Sequence, residues 1–241
     1  MKKHLFLLSV TSLFILLMIR GNANGQQLNK SLNTYINDLE KTTVEISKER
    51  KEVLNNISET IISKLDQTSS SSLLFVCTQN SRRSQLAQIW LQTAFYYYGI
   101  KNVKTFSGGI DPTKFHDNAL AALERAGFSI SKDNKSTNPI YSISNGIETF
   151  VCFSKKYSDN QNPHSDFIAV MVCSDADKSC PIIEKSSERY SLPYDDPRYY
   201  DNTPSAMVKY DITARTIALE MFYLASITKE KIIHKIEISK R

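Results

Sequence analysis

Cys77 is the residue around which chemistry can be built. It closes the apolar run Leu73-Leu74-Phe75-Val76 and opens a short polar loop, Thr78-Gln79-Asn80-Ser81-Arg82-Arg83-Ser84, that leads into apolar residues at helical spacing from Gln85 to Phe95. A cysteine attacks as its thiolate, and a helix N-terminus with an arginine beside it supplies the positive potential that favours that form. The backbone amides of Thr78, Gln79, Asn80, Ser81, Arg82 and Arg83, converging on one point, would cradle a tetrahedral oxyanion. Arg83, six positions after Cys77, can reach over that cradle and grip two oxygens with its planar fork, which a lysine cannot do. Ser84 stands at the helix entrance, where its hydroxyl can donate to the sulfur. Most free cysteines are simply small buried hydrophobes. That reading leaves two arginines at the loop unexplained.

A second pair, Cys173 and Cys180, follows another apolar run in Val172-Cys173-Ser174-Asp175-Ala176-Asp177-Lys178-Ser179-Cys180-Pro181. Structural zinc needs four Cys or His ligands and usually a closer pair. Cys152, His4, His116, His164 and His234 offer no complementary pair, so no metal is expected. A structural disulfide would suit an exported protein. A redox pair is the more economical reading, because a thiol at one strand end can attack a sulfur at a neighbouring strand end. Further on, Pro193-Tyr194-Asp195-Asp196-Pro197 is a turn with adjacent carboxylates. A cysteine that displaces an oxygen leaving group needs a proton donor opposite it, and an aspartate of such a turn can serve. Alone, an Asp-Asp-Pro sequence is most often just a turn.

These residues need elements to carry them. Strands are predicted near Leu73–Val76, Val103–Ser107, Thr149–Phe153, Phe167–Cys173 and Tyr190–Leu192, with helices near Ser84–Tyr98, Asp117–Ala126 and Ser205–Ile227. The alternation predicts an α/β fold, a small doubly wound parallel sheet with its site at the carboxyl ends of the strands. Before it, Leu28 to Leu65 contains neither Pro nor Gly, and its apolar residues recur at three, four or seven. This is one long amphipathic helix or a helical pair, which either covers a face of the catalytic domain or forms a coiled-coil dimer seam. The oligomeric state stays open. Gln67 to Ser72 reads as a polar hinge.

The 241 residues, 41% hydrophobic, can bury one substantial core. Thirty Lys and Arg against 25 Asp and Glu leave a net charge of only +5, scattered except for a basic tail, so nucleic-acid binding is not indicated. Met1-Lys2-Lys3-His4 and the apolar run Leu5 to Ile19 read as an export signal, too short for a comfortable membrane anchor, with cleavage expected before Gln26. A periplasmic enzyme follows, or a cytoplasmic one if translation starts at Met18. The expected organisation is a signal peptide at 1–25, a helical extension and linker at 26–72, a catalytic domain at 73–228 and a basic tail at 229–241.

Taken together, the motifs resemble the superfamily of low-molecular-weight protein tyrosine phosphatases and thioredoxin-coupled arsenate reductases, over roughly Leu73 to Ile227. Both branches use the Cys-x5-Arg-Ser loop. Gln85 stands where the phosphatases usually have proline, and Cys173 to Cys180 resembles the redox segment of the reductases, so the likeness leans to the reductase. It implies that Cys77 attacks arsenate, that the loop amides and Arg83 hold its oxygens, and that Asp196 protonates the departing hydroxyl. Cys173 would then attack Cys77 and release arsenite, and a Cys173–Cys180 disulfide would go to a thioredoxin-like reductant. The phosphatase alternative makes a phosphocysteine from phosphotyrosine or a small phosphomonoester, which water hydrolyses with Asp196 as base. Asn80 and Ser107 match residues that brace the loop. Arg82 replaces a nonessential cysteine of the reductases, and Gln88 replaces a glutamate near their monovalent-cation site, so neither that cation nor any other cofactor is carried over.

Overall fold

The computed structural model describes residues 27–41, 46–133, 136–179 and 182–239. The expected signal peptide and Cys180 lie outside the described residues.

The order of elements is α1 (Lys30–Glu40), α2 (Lys48–Thr68), β1 (Ser71–Cys77), α3 (Arg83–Tyr97), β2 (Val103–Gly109), α4 (Asp117–Ala126), β3 (Ser129–Lys132), β4 (Tyr141–Ser144), β5 (Thr149–Cys152), β6 (Phe167–Met171), α5 (Ser174–Ser179), β7 (Ser186–Ser191), a 3-10 turn (Pro197–Tyr200) and α6 (Ala206–Ser239). A parallel sheet runs β2-β1-β6-β7. Its inner strands are the unbroken apolar runs Leu73–Val76 and Phe167–Met171, all buried, as strands covered on both faces require. The edge strand β2 is blunted by Gln92 of α3, which accepts from Thr105 N at 2.9 Å and donates to Val103 O at 3.2 Å.

Thr149–Cys152 is a strand, but not of the parallel sheet. It closes a separate antiparallel sheet, β3-β4-β5. The reason is connection length: only Asn145 to Glu148 separate β4 from β5, enough for a hairpin and far too few for a parallel crossover. Asn145 Oδ1 pins that loop by accepting from Ile147 N and Glu148 N, each at 2.8 Å.

The predicted helical segment resolves into α1 and α2, and both belong to the main core. Leu32, Ile36, Leu39, Leu54, Ile57 and Ile61 are buried in one cluster with the sheet and α3. Trp90 of α3 is fully buried; it stacks on Tyr35 of α1 at 5.5 Å between ring centroids and meets Phe128 edge-on at 5.0 Å. Gly127 lets α1 approach: its φ is +106°, and a Cβ there would lie 2.3 Å from Leu32 N. The stretch expected as a hinge is instead a tight junction, with Ser69 as a left-handed cap (φ 59°) and β1 starting at Ser71. Likewise α6 has no Gly or Pro to stop it and runs to Ser239, so the basic segment expected as a tail from residue 229 is helical through 239.

If α2 shares the core, Ile61→Ala should cost about 2–5 kcal/mol. Urea unfolding followed by Trp90 fluorescence and by far-UV circular dichroism should shift together to one lower midpoint. An unchanged fluorescence midpoint would show α2 to be a separate unit.

Candidate active site

Cys77 is the last residue of β1, held between β2 (Cys77 opposite Gly109) and β6 (Val76 opposite Met171). Loop carbonyls are bonded outward in succession. Thr78 O accepts from Ile110 N at 2.8 Å and Asp111 N at 2.9 Å, Gln79 O from Ser154 Oγ at 2.7 Å, Asn80 O from Gln85 Nε2 at 3.2 Å, and Ser81 O from His116 N at 2.9 Å. Because the C=O and following N–H of a trans peptide point opposite ways, the amides of Gln79, Asn80, Ser81 and Arg82 turn toward the cleft. Asn80 makes the turn at φ 47°, in the left-handed region that asparagine tolerates. Gly109 backs the loop so closely that a Cβ would sit 2.7 Å from Asn80 N.

Asn80 also organises the sulfur. Its Oδ1 accepts from Lys155 N at 2.9 Å, while its Nδ2 donates to Ser84 Oγ at 2.8 Å. Ser84 Oγ lies 3.1 Å from Cys77 Sγ, so with Asn80 donating into the hydroxyl oxygen, the hydroxyl proton is free for the sulfur. Ser107 is buried, but its Oγ has no partner among the described residues.

Arg83, at the start of α3, donates from Nη1 to Tyr194 O at 2.9 Å and from Nη2 to Asp196 in an ion pair. Its Nε is buried without a partner among the described residues, which leaves a donor for an anion. Asp196 caps the 3-10 turn by accepting from Arg198 N at 3.0 Å, and its side chain is 8% exposed; Asp195 is exposed. Cys77, Thr78, Gln79, Ser81, Arg82, Arg83, Asp196 and Arg198 line a narrow cleft.

Arg82 lines the cleft, but its guanidinium is committed elsewhere. Nε donates to Tyr210 Oη and Nη2 to Asp201 Oδ2, both at 2.6 Å, and Tyr210 Oη donates to Asp201 Oδ1 at 2.6 Å. His116 stacks on Tyr210 at 5.3 Å, with Nε2 3.5 Å from Asp201. Burial first, and then Arg82, holds the His116 imidazole below its ordinary pKa. Burial and the Asp201 carboxylate push the Tyr210 phenol up.

Cys173 is fully buried just beyond β6. Val172 N donates to Val76 O at 2.9 Å, which sets the two cysteine-bearing strand ends side by side. Cys173 Sγ lies 3.5 Å from Thr78 Oγ1 and accepts from Ala176 N at 3.3 Å. Cys152 is a different kind of cysteine: burial pushes its thiol up to about 12, with Lys155 opposing. Among the described residues, no group of three or more His, Cys, Asp or Glu could hold a metal.

The low molecular weight phosphotyrosine protein phosphatase family model matches residues 72–144, the stretch that carries Cys77, Arg83 and Ser84. Arsenate reductase 2 of Staphylococcus epidermidis ATCC 35984 is 30% identical over 125 residues, covering 52% of this chain and 77% of that protein. The chain belongs to the low-molecular-weight phosphatase and arsenate reductase superfamily. Arsenate reductase of Staphylococcus aureus Newman is 26% identical over the same extent. A solved low molecular weight phosphotyrosine phosphatase from Vibrio cholerae O395 superposes with a TM-score of 0.48 at 18% identity, covering 67% of this chain and 99% of that one. As a member of this superfamily the protein is an enzyme, and the chemistry its relatives are named for acts on tetrahedral oxyanions.

Arg198 joins the cleft from the same turn as Asp196, two positions after it, and that proximity is its only local signal. Asp201, Tyr210, His116 and Ser154 carry no local signal, because each reaches the loop from a distant element.

His116 gives a pH test. Its folded pKa is depressed, so the unfolded chain binds the proton more readily and stability is complete only above the unfolded value of about 6.5. Stability should fall as pH drops below that value toward the folded pKa. His116→Asn keeps a capping acceptor, and unfolding free energies from pH 8 to 5 should show a shallower acid loss than wild type. Identical slopes would refute an imidazole held below its ordinary pKa in the folded chain.

Proposed function

We propose that the enzyme is an arsenate reductase working through Cys77, Cys173 and Cys180, with a thioredoxin-like protein as reductant. The observation that carries this reading is Cys173, fully buried at the strand end beside that of Cys77 and 3.5 Å from the hydroxyl of Thr78, the residue that follows Cys77. A cysteine placed there for packing alone has no need of that neighbour.

In this reading the loop amides and Arg83 Nε hold arsenate oxygens while the Cys77 thiolate attacks arsenic. One As–O bond breaks, and Asp196 supplies the proton with which the oxygen leaves as water. Cys173 as thiolate then attacks Cys77 Sγ. The S–As bond breaks with its electron pair going to arsenic, so As(V) becomes As(III) and leaves as arsenite, while two thiols become the Cys77–Cys173 disulfide. Attack by Cys180 on Cys173 frees Cys77 and forms Cys173–Cys180, which an external dithiol reduces. Export by the leader at 1–25 is part of the proposal, and the reductant then belongs to the same compartment; mass spectrometry of the mature N-terminus tests it.

A second reading, phosphomonoester hydrolysis, is favoured by Tyr199 and Tyr200, 72% and 37% exposed directly after Asp196 and Arg198. They offer an aromatic surface to an aryl phosphate. Cys173 has no task in that reaction.

Purified protein with thioredoxin, thioredoxin reductase and NADPH should consume NADPH only when arsenate is added. Cys77→Ser should abolish consumption, Asp196→Asn should slow it roughly 10²- to 10⁴-fold, and Cys173→Ser should abolish it while sparing any aryl phosphate turnover. No arsenate-dependent consumption, together with full aryl phosphatase activity in Cys173→Ser, would decide for the phosphatase.

A further inference from the structure

The helices α1 and α2 lie outside the residues that the family model matches, yet α2 reaches the turn that carries Asp196. We propose that Arg50 of α2 is a positioning residue for the Pro193–Asp196 turn, so that the N-terminal helical segment is part of the catalytic apparatus. This rests on the reading of Asp196 as proton donor.

Arg50 engages the turn in three ways. Its Nη1 donates to Pro193 O at 3.0 Å. Its guanidinium lies over the Tyr194 ring, 4.8 Å from the centroid. Its Nε and Nη2 together grip the carboxylate of Glu220 on α6, the latter at 2.6 Å, and Glu220 Oε2 accepts from Tyr194 Oη at 2.7 Å. The phenol is thus tied to a carboxylate that Arg50 orients, its ring lies against the same guanidinium, and the preceding carbonyl takes the remaining donor. A lysine's single compact ammonium cannot grip the Glu220 carboxylate with a planar fork while a separate donor reaches Pro193 O.

Tyr194 transmits the grip. Its carbonyl accepts from Arg83 Nη1 at 2.9 Å, and Arg83 Nη2 pairs with Asp196. An unbroken series of hydrogen bonds therefore runs from α2 through Tyr194 to the arginine over the cleft and the acid beside it. The anchor is firm: Leu54, Ile57 and Ile61 of α2 are buried, Thr228 Oγ1 of α6 donates to Ser58 Oγ at 3.0 Å, and Thr60 Oγ1 meets Tyr190 Oη of β7 at 2.6 Å just before the turn begins.

Arg50 also neutralises Glu220, whose side chain is 4% exposed, so a single substitution would confound an unpaired buried charge with lost positioning. Arg50→Met/Glu220→Gln removes both charges and keeps a partner for the Tyr194 hydroxyl. In the full-length enzyme this pair should lower kcat on arsenate by about 10- to 100-fold, the scale expected when a catalytic group is misplaced by about 1 Å. In an Asp196→Asn background the same pair should cost much less, because the acid it positions is already gone and only the hold on Arg83 through Tyr194 O remains. Hydrogen exchange, which needs no substrate, should speed up at 193–201 while β1 and β6 keep their protection. Wild-type kcat with unaltered exchange at 193–201, or an equal loss of kcat added on top of Asp196→Asn, would overturn the proposal. Should wild type itself fail to reduce arsenate, the reading of the acid falls, while the exchange result still decides whether Arg50 holds the turn. If the double variant does not fold, Arg50→Lys, which keeps a charge for Glu220, should show the same loss and the same exchange; wild-type behaviour there would equally overturn it.

Discussion

Turning several peptide N–H groups toward one point is unfavourable unless each matching carbonyl finds a donor on the other side, since a buried unpaired carbonyl costs about as much as a lost hydrogen bond. The fold meets that demand from outside the loop. Ile110 and Asp111 follow β2, Ser154 follows β5, His116 caps α4 and Gln85 belongs to α3. Four separate elements are thereby fixed by their duty to the segment 78–81. The small antiparallel sheet shares in this, because β5 delivers Ser154 and Lys155 to Gln79 and Asn80. The hairpin is therefore a brace for the loop 78–81.

A second layer of constraint comes from three arginine–carboxylate pairs of low exposure: Arg83 with Asp196, Arg82 with Asp201 and Arg50 with Glu220. Such pairs add little net stability over apolar packing, but breaking one by losing a partner costs about 3–5 kcal/mol. They act as registers more than as glue. Each ties a residue near the N-terminus of one helix to a group from the last third of the chain, and tyrosines 194 and 210 close two of the three pairs with a hydroxyl. The loop, the acid turn and α6 can then occupy only one relative arrangement.

Much of this was legible in the residues. Cys77 at a strand end, the entry of α3, the span Asp117–Ala126 and the parallel sheet follow from apolar runs, turn residues and spacing, which are local properties. The fate of Thr149–Cys152 was not, because the alternating partner Tyr141–Ser144 had to be seen first; a strand's sheet is decided by its neighbour and not by itself. Helix α6 past residue 229 reads as a charged tail only if polarity is taken as a stop, whereas chain geometry stops helices at Gly and Pro. Arg50, Asp201 and Tyr210 look like ordinary surface residues until the fold brings them in. Pairs separated by 128 or 170 positions have no signature within any window of the sequence.

The position of Cys173 carries one more consequence for the proposed relay. Its sulfur is held by the amide of Ala176 in the first turn of α5, and that helix packs on β1 and β6 and is also tied to β7 and the turn that follows it. Asp177 pairs with Arg189 and accepts from Ser191 Oγ at 2.7 Å, and Asp175 lies 3.8 Å from Arg198, the neighbour of Asp196. A sulfur that must first reach Cys77 and then Cys180 cannot keep its bond to Ala176 through both exchanges, so α5 has to yield. The ion pairs it would release are those to β7 and to the turn that carries Asp196, whereas the backbone carbonyls of residues 78–81 are bonded to other elements. The loop carbonyls therefore keep their donors on β2, β5, α3 and α4 while α5 rearranges.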